Sequence, residues 1–148
     1  MDLQKPKTKH KGISHYKKIA DKVFSEYIRY RDGRKLVNEQ TGEEEWWCPC
    51  ITCGNWKPMR QMHAGHFQSR RFMATRWDDF NVNSQCPSCN TFNAGEQYKY
   101  SKAIDLKFGN GVAEQLERLA RQTKKFTITE IIKIIDDAKK EIAEYESR

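Results

Sequence analysis

At 148 residues, 37% hydrophobic and 32% charged, the chain has the length of one domain with a small core, a combination that often leans on a metal staple. It holds no apolar run of the roughly eighteen residues a membrane-spanning helix needs, and no apolar stretch follows its lysine-rich start, so no secretory signal is expected. The net charge of +7 sits in residues 1–35, where eight Lys and three Arg face four acids, while sixteen bases balance sixteen acids in the rest.

Residues 1–12 read as a disordered basic arm. Its Lys5, Lys7, Lys9 and Lys11 are candidate contacts to nucleic-acid phosphates. Residues 13–34 hold an N-terminal helix: Tyr16, Ile19, Ala20, Val23, Phe24, Tyr27 and Ile28 recur at helical spacing, Ser14 can act as N-cap, and Asp32-Gly33 ends it. Residues 35–95 form the core segment. It opens on a hairpin with Leu36-Val37 on one strand, a turn at Gln40-Thr41-Gly42 and Trp46-Trp47 on the return. From Trp46 to Trp77 there is no Asp or Glu, whereas Lys57, Arg60, Arg70, Arg71 and Arg76 are present. Two acid-poor basic segments point to a polyanion partner. Residues 96–148 are helical. One helix runs from about Glu96 to Phe108, a second starts near Asn110, and a third starts at Thr127, where Thr127 and Glu130 form a capping-box pattern. The third carries Ile131, Ile132, Ile134, Ile135, Ala138 and Ile142, an apolar face for the core or for a dimer seam, with the first helix as the other candidate seam.

Four of the five cysteines form two knuckles, Cys50-x-x-Cys53-Gly54 and Cys86-x-x-Cys89. Each places two thiolates on one side of a tetrahedral ion, and together they describe a four-sulfur structural zinc site without an open position. Doubled knuckles and the lack of export features argue against disulfides and for a reducing, cytoplasmic compartment. Cys48 is the odd cysteine; it could replace Cys50, but its spacing to Cys53 makes a poorer knuckle. Inside the loop closed by the knuckles lies His63-Ala64-Gly65-His66-Phe67-Gln68-Ser69-Arg70-Arg71, followed by Asn81 and by Asn90 directly after Cys89. Hydrolysis of a phosphodiester needs a base for water and a cation for the charge that builds on phosphorus and on the leaving oxygen. A histidine strand, a returning asparagine and an asparagine at a helix start could meet both needs.

These residues resemble the Rap/NinG family of phage recombination endonucleases, which are HNH (ββα-metal) proteins. The similarity runs over about residues 20–145. It is carried by Val23-Phe24-Ser25-Glu26-Tyr27-Ile28-Arg29, the first knuckle with Gly54, His63-Ala64-Gly65-His66-Phe67, Gln85 with the second knuckle and Asn90, Gly95, Tyr100, Leu106, Phe108-Gly109 and Thr127-Ile128-Thr129-Glu130. The order of knuckle, histidine, knuckle and asparagine also looks like the phage Holliday-junction endonuclease of ββα-metal type.

The resemblance implies an α+β fold: a zinc-stapled ββα-metal core flanked by N- and C-terminal helices. It implies a metal-dependent DNA endonuclease acting on branched recombination intermediates, Holliday junctions or D-loops, in the cytoplasm of a bacterial host. Structural Zn2+ and catalytic Mg2+ or Mn2+ are the cofactors, and branched DNA and a second copy of the chain the partners. By motif position His66 is the general base, Asn81 orients the histidine loop and Asn90 is a ligand of the catalytic metal. Many HNH enzymes carry a metal-binding carboxylate directly before the base, where this chain has Gly65. His63 is the candidate replacement, with Asp78 or Asp79 reaching in as the alternative. Arg70 and Arg71 either clamp the scissile phosphate or form a solvated pair. The competing reading is a catalytically silent zinc module that binds DNA or a recombination protein.

Overall fold

Tyr16, Ile19, Ala20, Val23, Phe24, Tyr27 and Ile28 lie along one side of helix α1 (Ile13–Asp32), whose Ala20, Phe24 and Ile28 are buried. The computed structural model describes residues 10–148. Lys5, Lys7 and Lys9 therefore lie outside the described residues, and Lys11 is exposed just before α1. The N-cap is Gly12, which has no side chain to cap with, rather than Ser14, which falls inside the first turn. Gly33 ends it, so Arg34, expected with the helix, starts a strand instead.

That strand, β1 (Arg34–Val37), pairs antiparallel with β2 (Glu44–Pro49), with Val37 opposite Glu44. The Asn38 side chain accepts from the backbone of Gln40 and Thr41 and closes the turn of the expected hairpin. A third strand, β3 (Trp56–Pro58), pairs with β2. It had no signature in the sequence, because three residues are too few to show alternation. A separate two-stranded sheet joins β4 (His63–His66) to β5 (Val82–Gln85), with His66 opposite Val82.

The helix expected at the second knuckle is not α-helical. Ser88–Phe92 forms a π turn, closed by a bond from the Asn93 N–H to the Ser88 carbonyl at 2.9 Å. Ala94, Gly95 and Glu96 follow with positive φ and redirect the chain. Helix α2 (Gln97–Phe108) starts there, followed by α3 (Val112–Ala120) and α4 (Ile128–Glu146). Thr127 and Glu130 form the expected reciprocal capping box on α4.

The fold is thus mixed α+β, with two small sheets among four α-helices in the described residues. Ala20 of α1 packs with Ile131 and Ile135 of α4, and Phe24 and Ile28 pack with Val82 of β5. The apolar faces of α1 and α4, offered by the sequence as a dimer seam, close on each other within one chain. A second cluster joins Phe67, Tyr100, Ile104, Ala113 and Leu116, seating α2 and α3 against the end of β4. A polar knot at the end of α1 adds to this. Asp32, buried, pairs with Arg31 at 2.8 Å and Lys107 of α2 at 2.9 Å, and accepts from the Ser84 backbone of β5 at 2.8 Å. Among the described residues no helix is long and apolar enough to cross a membrane.

Candidate metal centre and basic groove

The first knuckle turns tightly: the Cys50 N–H bonds to Asn55 and the Gly54 N–H returns to Cys50 at 2.9 Å. Gly54 has φ +77°, a backbone conformation that suits glycine at this turn. The second knuckle follows β5, and a bond from the Ile51 N–H to the Ser84 carbonyl at 2.9 Å ties the two together. The ligand atoms of Cys50, Cys53, Cys86 and Cys89 all lie within 4.8 Å of one another. Four sulfurs about 2.3 Å from one tetrahedral ion stand roughly 3.8 Å apart, and the Cys53 and Cys86 sulfurs are 3.8 Å apart. This cluster could hold a metal ion such as zinc. Burial opposes ionisation of Cys50, but the N–H groups of Cys53, Cys86 and Thr52 outweigh it and hold its thiol below the usual range. Cys48 is not one of the four, although it packs in the same buried cluster. It is buried, its sulfur donates to the Arg29 carbonyl at 3.1 Å, and burial pushes its thiol up to about 11.

Beside the cluster opens a groove of about 720 Å³. His63, His66, Ser69, Arg70 and Asn90 line one side of it. His63 Nδ1 lies 3.0 Å from the Asn90 amide nitrogen. Turning that amide over exchanges its nitrogen and oxygen, which brings a carbonyl oxygen beside the imidazole. Two neighbouring ligands about 2.1 Å from one octahedral cation stand roughly 3 Å apart, so in that orientation the pair could offer two ligand atoms to a cation.

His66 Nε2 lies 2.8 Å from the Arg76 carbonyl. A carbonyl can only accept, so Nε2 carries the proton and Nδ1 keeps its lone pair. Burial, aided by the positive charge of Arg70, holds the ring below its ordinary value of 6.5 although the Arg76 bond pulls upward. The imidazole is therefore neutral at neutral pH.

The Arg76 carbonyl is itself held. Buried Asn81 accepts from the Gln68 N–H at 2.7 Å and donates to the carbonyls of Gln68 and Thr75, each at 3.0 Å. It thereby ties both ends of the loop between β4 and β5. Asp21 of α1 grips the Arg76 guanidinium at 2.9 and 2.5 Å and accepts from the Trp77 indole at 3.0 Å.

The structure thus brings His63, His66, Asn90 and Arg70 to one groove and places Asn81 beneath it. It places other candidates elsewhere. Arg71 does not line the groove; its guanidinium sits over the Phe72 ring. Asp78 accepts from the Phe80 and Asn81 N–H groups and shapes the loop, and Asp79 lies near Arg31. Neither aspartate lines the groove. Nor is Gly65 free to take a carboxylate: a Cβ built there would overlap Gln85 Oε1. Gln85 is buried and donates to Thr52 at 2.9 Å and to the Gly95 carbonyl at 3.0 Å, tying the first knuckle to the exit of the π turn.

Sequence reasoning missed the second side of the groove, formed by Lys18, Asp21, Lys22, Ser25 and Arg29 of α1. The signal was present: Lys18, Lys22, Ser25 and Arg29 recur at helical spacing on the polar face, whereas only the apolar periodicity had been read. Arg76 and Gln85 left no such signal, because their contacts are made far along the chain.

The profile of the family described as "Bacteriophage Lambda NinG protein" matches residues 1–147. Protein ninG of Escherichia phage 933W and of Enterobacteria phage VT2-Sa are each 29% identical over 102 residues, 68% of this chain and 49% of theirs. Protein ninG of Salmonella phage P22 matches to the same extent. The chain spans about half the length of these curated relatives. No solved structure matches it significantly.

Proposed function

The chain belongs to the NinG family of bacteriophage proteins, and from that premise we propose that it hydrolyses DNA phosphodiester bonds, with a neutral histidine as base and one divalent cation. The observation that carries the reading is the pairing of two functions in one groove: a half-buried, tautomer-fixed imidazole at His66 beside an imidazole–amide pair at His63 and Asn90.

In this reading His66 Nδ1 takes the proton of the attacking water while Nε2–H stays on the Arg76 carbonyl. Asn81 keeps that carbonyl in place by holding the loop. Arg70, largely exposed at the groove edge, supplies donors to the non-bridging phosphate oxygens. Held by His63 and Asn90, a Mg2+ or Mn2+ ion would supply positive charge at the phosphoryl group and the leaving oxygen. An imidazole ligand favours the softer Mn2+ of the two. Zinc in the four-cysteine cluster fixes the π turn that carries Asn90 relative to β4. Branched recombination intermediates in the host cytoplasm are the substrates that the family resemblance implies.

The test is nicking of supercoiled plasmid with magnesium or manganese. His66→Ala should lower cleavage at least ~10²-fold while DNA affinity stays near wild type. Equal loss of binding and cutting would make His66 a folding or binding residue. Binding without any metal-dependent cutting would leave a silent DNA-binding zinc module, the second reading, which the absence of a carboxylate at position 65 favours.

A further inference from the structure

One side of the groove is α1, and its role is not exhausted by packing. Lys18, Lys22, Ser25 and Arg29 form a single stripe along the helix, opposite the face that meets α4. From Lys18 to Arg29 the stripe covers roughly 16 Å at about 1.5 Å per residue. A nucleic-acid strand carries one phosphate per about 3.4 Å of duplex axis, so the stripe spans about four to five phosphates. Lys18 and Lys22 are exposed, and neither has a carboxylate partner among the described residues. Arg29 is braced by bonds to the Ser25 and Met59 carbonyls, each at 3.3 Å. Asp21 is the one carboxylate among the residues lining the groove, and Arg76 and Trp77 already engage it.

We infer that this stripe is a phosphate-binding rail, which receives the backbone of the DNA strand lying across His66. The inference rests on the nuclease reading for what happens at His66, but not for the binding itself. The rail is built on a helix whose other face is buried, so its cations are spaced before DNA arrives.

The experiment is anisotropy of fluorescein-labelled duplex DNA titrated with full-length protein at several salt concentrations, without divalent metal so that nothing is cut. Lys18→Ala/Lys22→Ala is compared with Lys139→Ala/Lys140→Ala, an exposed pair on α4. Each phosphate contact contributes about 0.9 to the slope of log affinity against log salt. The groove pair should flatten the slope by up to about 1.8, and the α4 pair should leave it unchanged. An unchanged slope in the groove variant overturns the rail, and so does equal flattening in both variants. Flattening confined to the groove variant in a protein that never cuts DNA would keep the rail and discard the nuclease.

A different observation carries a second inference, also resting on the nuclease reading. Asp21 holds Arg76 and Trp77, and the backbone carbonyl of Arg76 holds His66 Nε2–H. The geometry points to Asp21 as a positioning residue that fixes the base through the Arg76 carbonyl, from an element distant in sequence. In 15N-labelled wild-type protein, His66 should show the Nε2–H tautomer alone when neutral. Asp21→Asn should give a mixture of tautomers, and kcat should fall while KM holds. Arg76→Lys, which keeps the charge but loses the two-pronged grip, should do the same and guards against a folding defect in the first variant. A single Nε2–H tautomer in both variants overturns the assignment.

Discussion

Gly65 shows how one residue can constrain a site without touching substrate. Its missing Cβ lets Gln85 pack against the strand, and Gln85 Oε1 meets no N–H or O–H donor among the described residues. Gly65→Ala should therefore destabilise the fold by ~1–3 kcal/mol, the usual cost of overpacking, read from denaturant unfolding. Gly65→Asp should not restore a metal ligand, since position 65 faces Gln85 and not the groove. Wild-type stability in the alanine variant would mean that Gln85 yields at no cost. At His66 the folded ring titrates below its ordinary 6.5. Between the two values the unfolded chain binds more protons, so this contribution to stability is complete above pH 6.5 and is lost as pH falls toward the folded value. Cleavage should likewise decline only below pH 6.5, and a midpoint above that in a pH–rate profile would argue against a neutral base at His66.

Elements meet through polar knots that the sequence does not announce. Asp32 joins α1, β5 and α2, and the Arg31 and Lys107 charges together with the Ser84 N–H outweigh burial and hold its carboxyl below the ordinary 3.8. Because the folded value is the lower one, the stabilisation is present above about pH 3.8 and disappears as pH falls through the folded value. Asp32→Ala, which strands Arg31, should cost about 3–5 kcal/mol at neutral pH; a loss under 1 kcal/mol would show the knot to be solvated. The capping box on α4 is a smaller matter, and Thr127→Ala should cost about 1 kcal/mol. Helices α1 and α4, the first hairpin and the four cysteines were legible because each repeats a local pattern: apolar residues at helical spacing, a turn between short strands, doubled knuckles. Strand β3, the π turn and the contribution of α1 to the groove were not. They depend on what a residue meets after folding, as when Asp21 answers an arginine in a stretch without acids.

For the whole molecule, the four-cysteine cluster links β2, the β4–β5 sheet and the π turn. The purified protein should carry about one zinc per chain, and Cys50→Ser and Cys89→Ser should each lower it. Chelation that removes the metal should shift tryptophan emission as the central sheets open, and unchanged zinc content in both variants would sink the ligand assignment. Two symmetric cuts in a four-way junction call for two sites related by a two-fold axis. The nuclease reading thus expects a dimer of the 17.5 kDa chain in light scattering, and at least ~10-fold preference for a junction over linear duplex, about 1.4 kcal/mol. Since α1 and α4 bury their apolar faces on each other, such a dimer would use surfaces they leave exposed, among them Ile128 and Ile132. That pairing also sets an order of assembly during synthesis. Helix α1 leaves the ribosome early, but Ala20 meets its partners Ile131 and Ile135 only when α4 follows, with most of the chain between them. The two histidines and all four cysteines have by then been translated. A nascent chain stalled before Ile128 would hold every atom of the proposed chemistry while the Ala20 face of α1 still lacked its partners on α4.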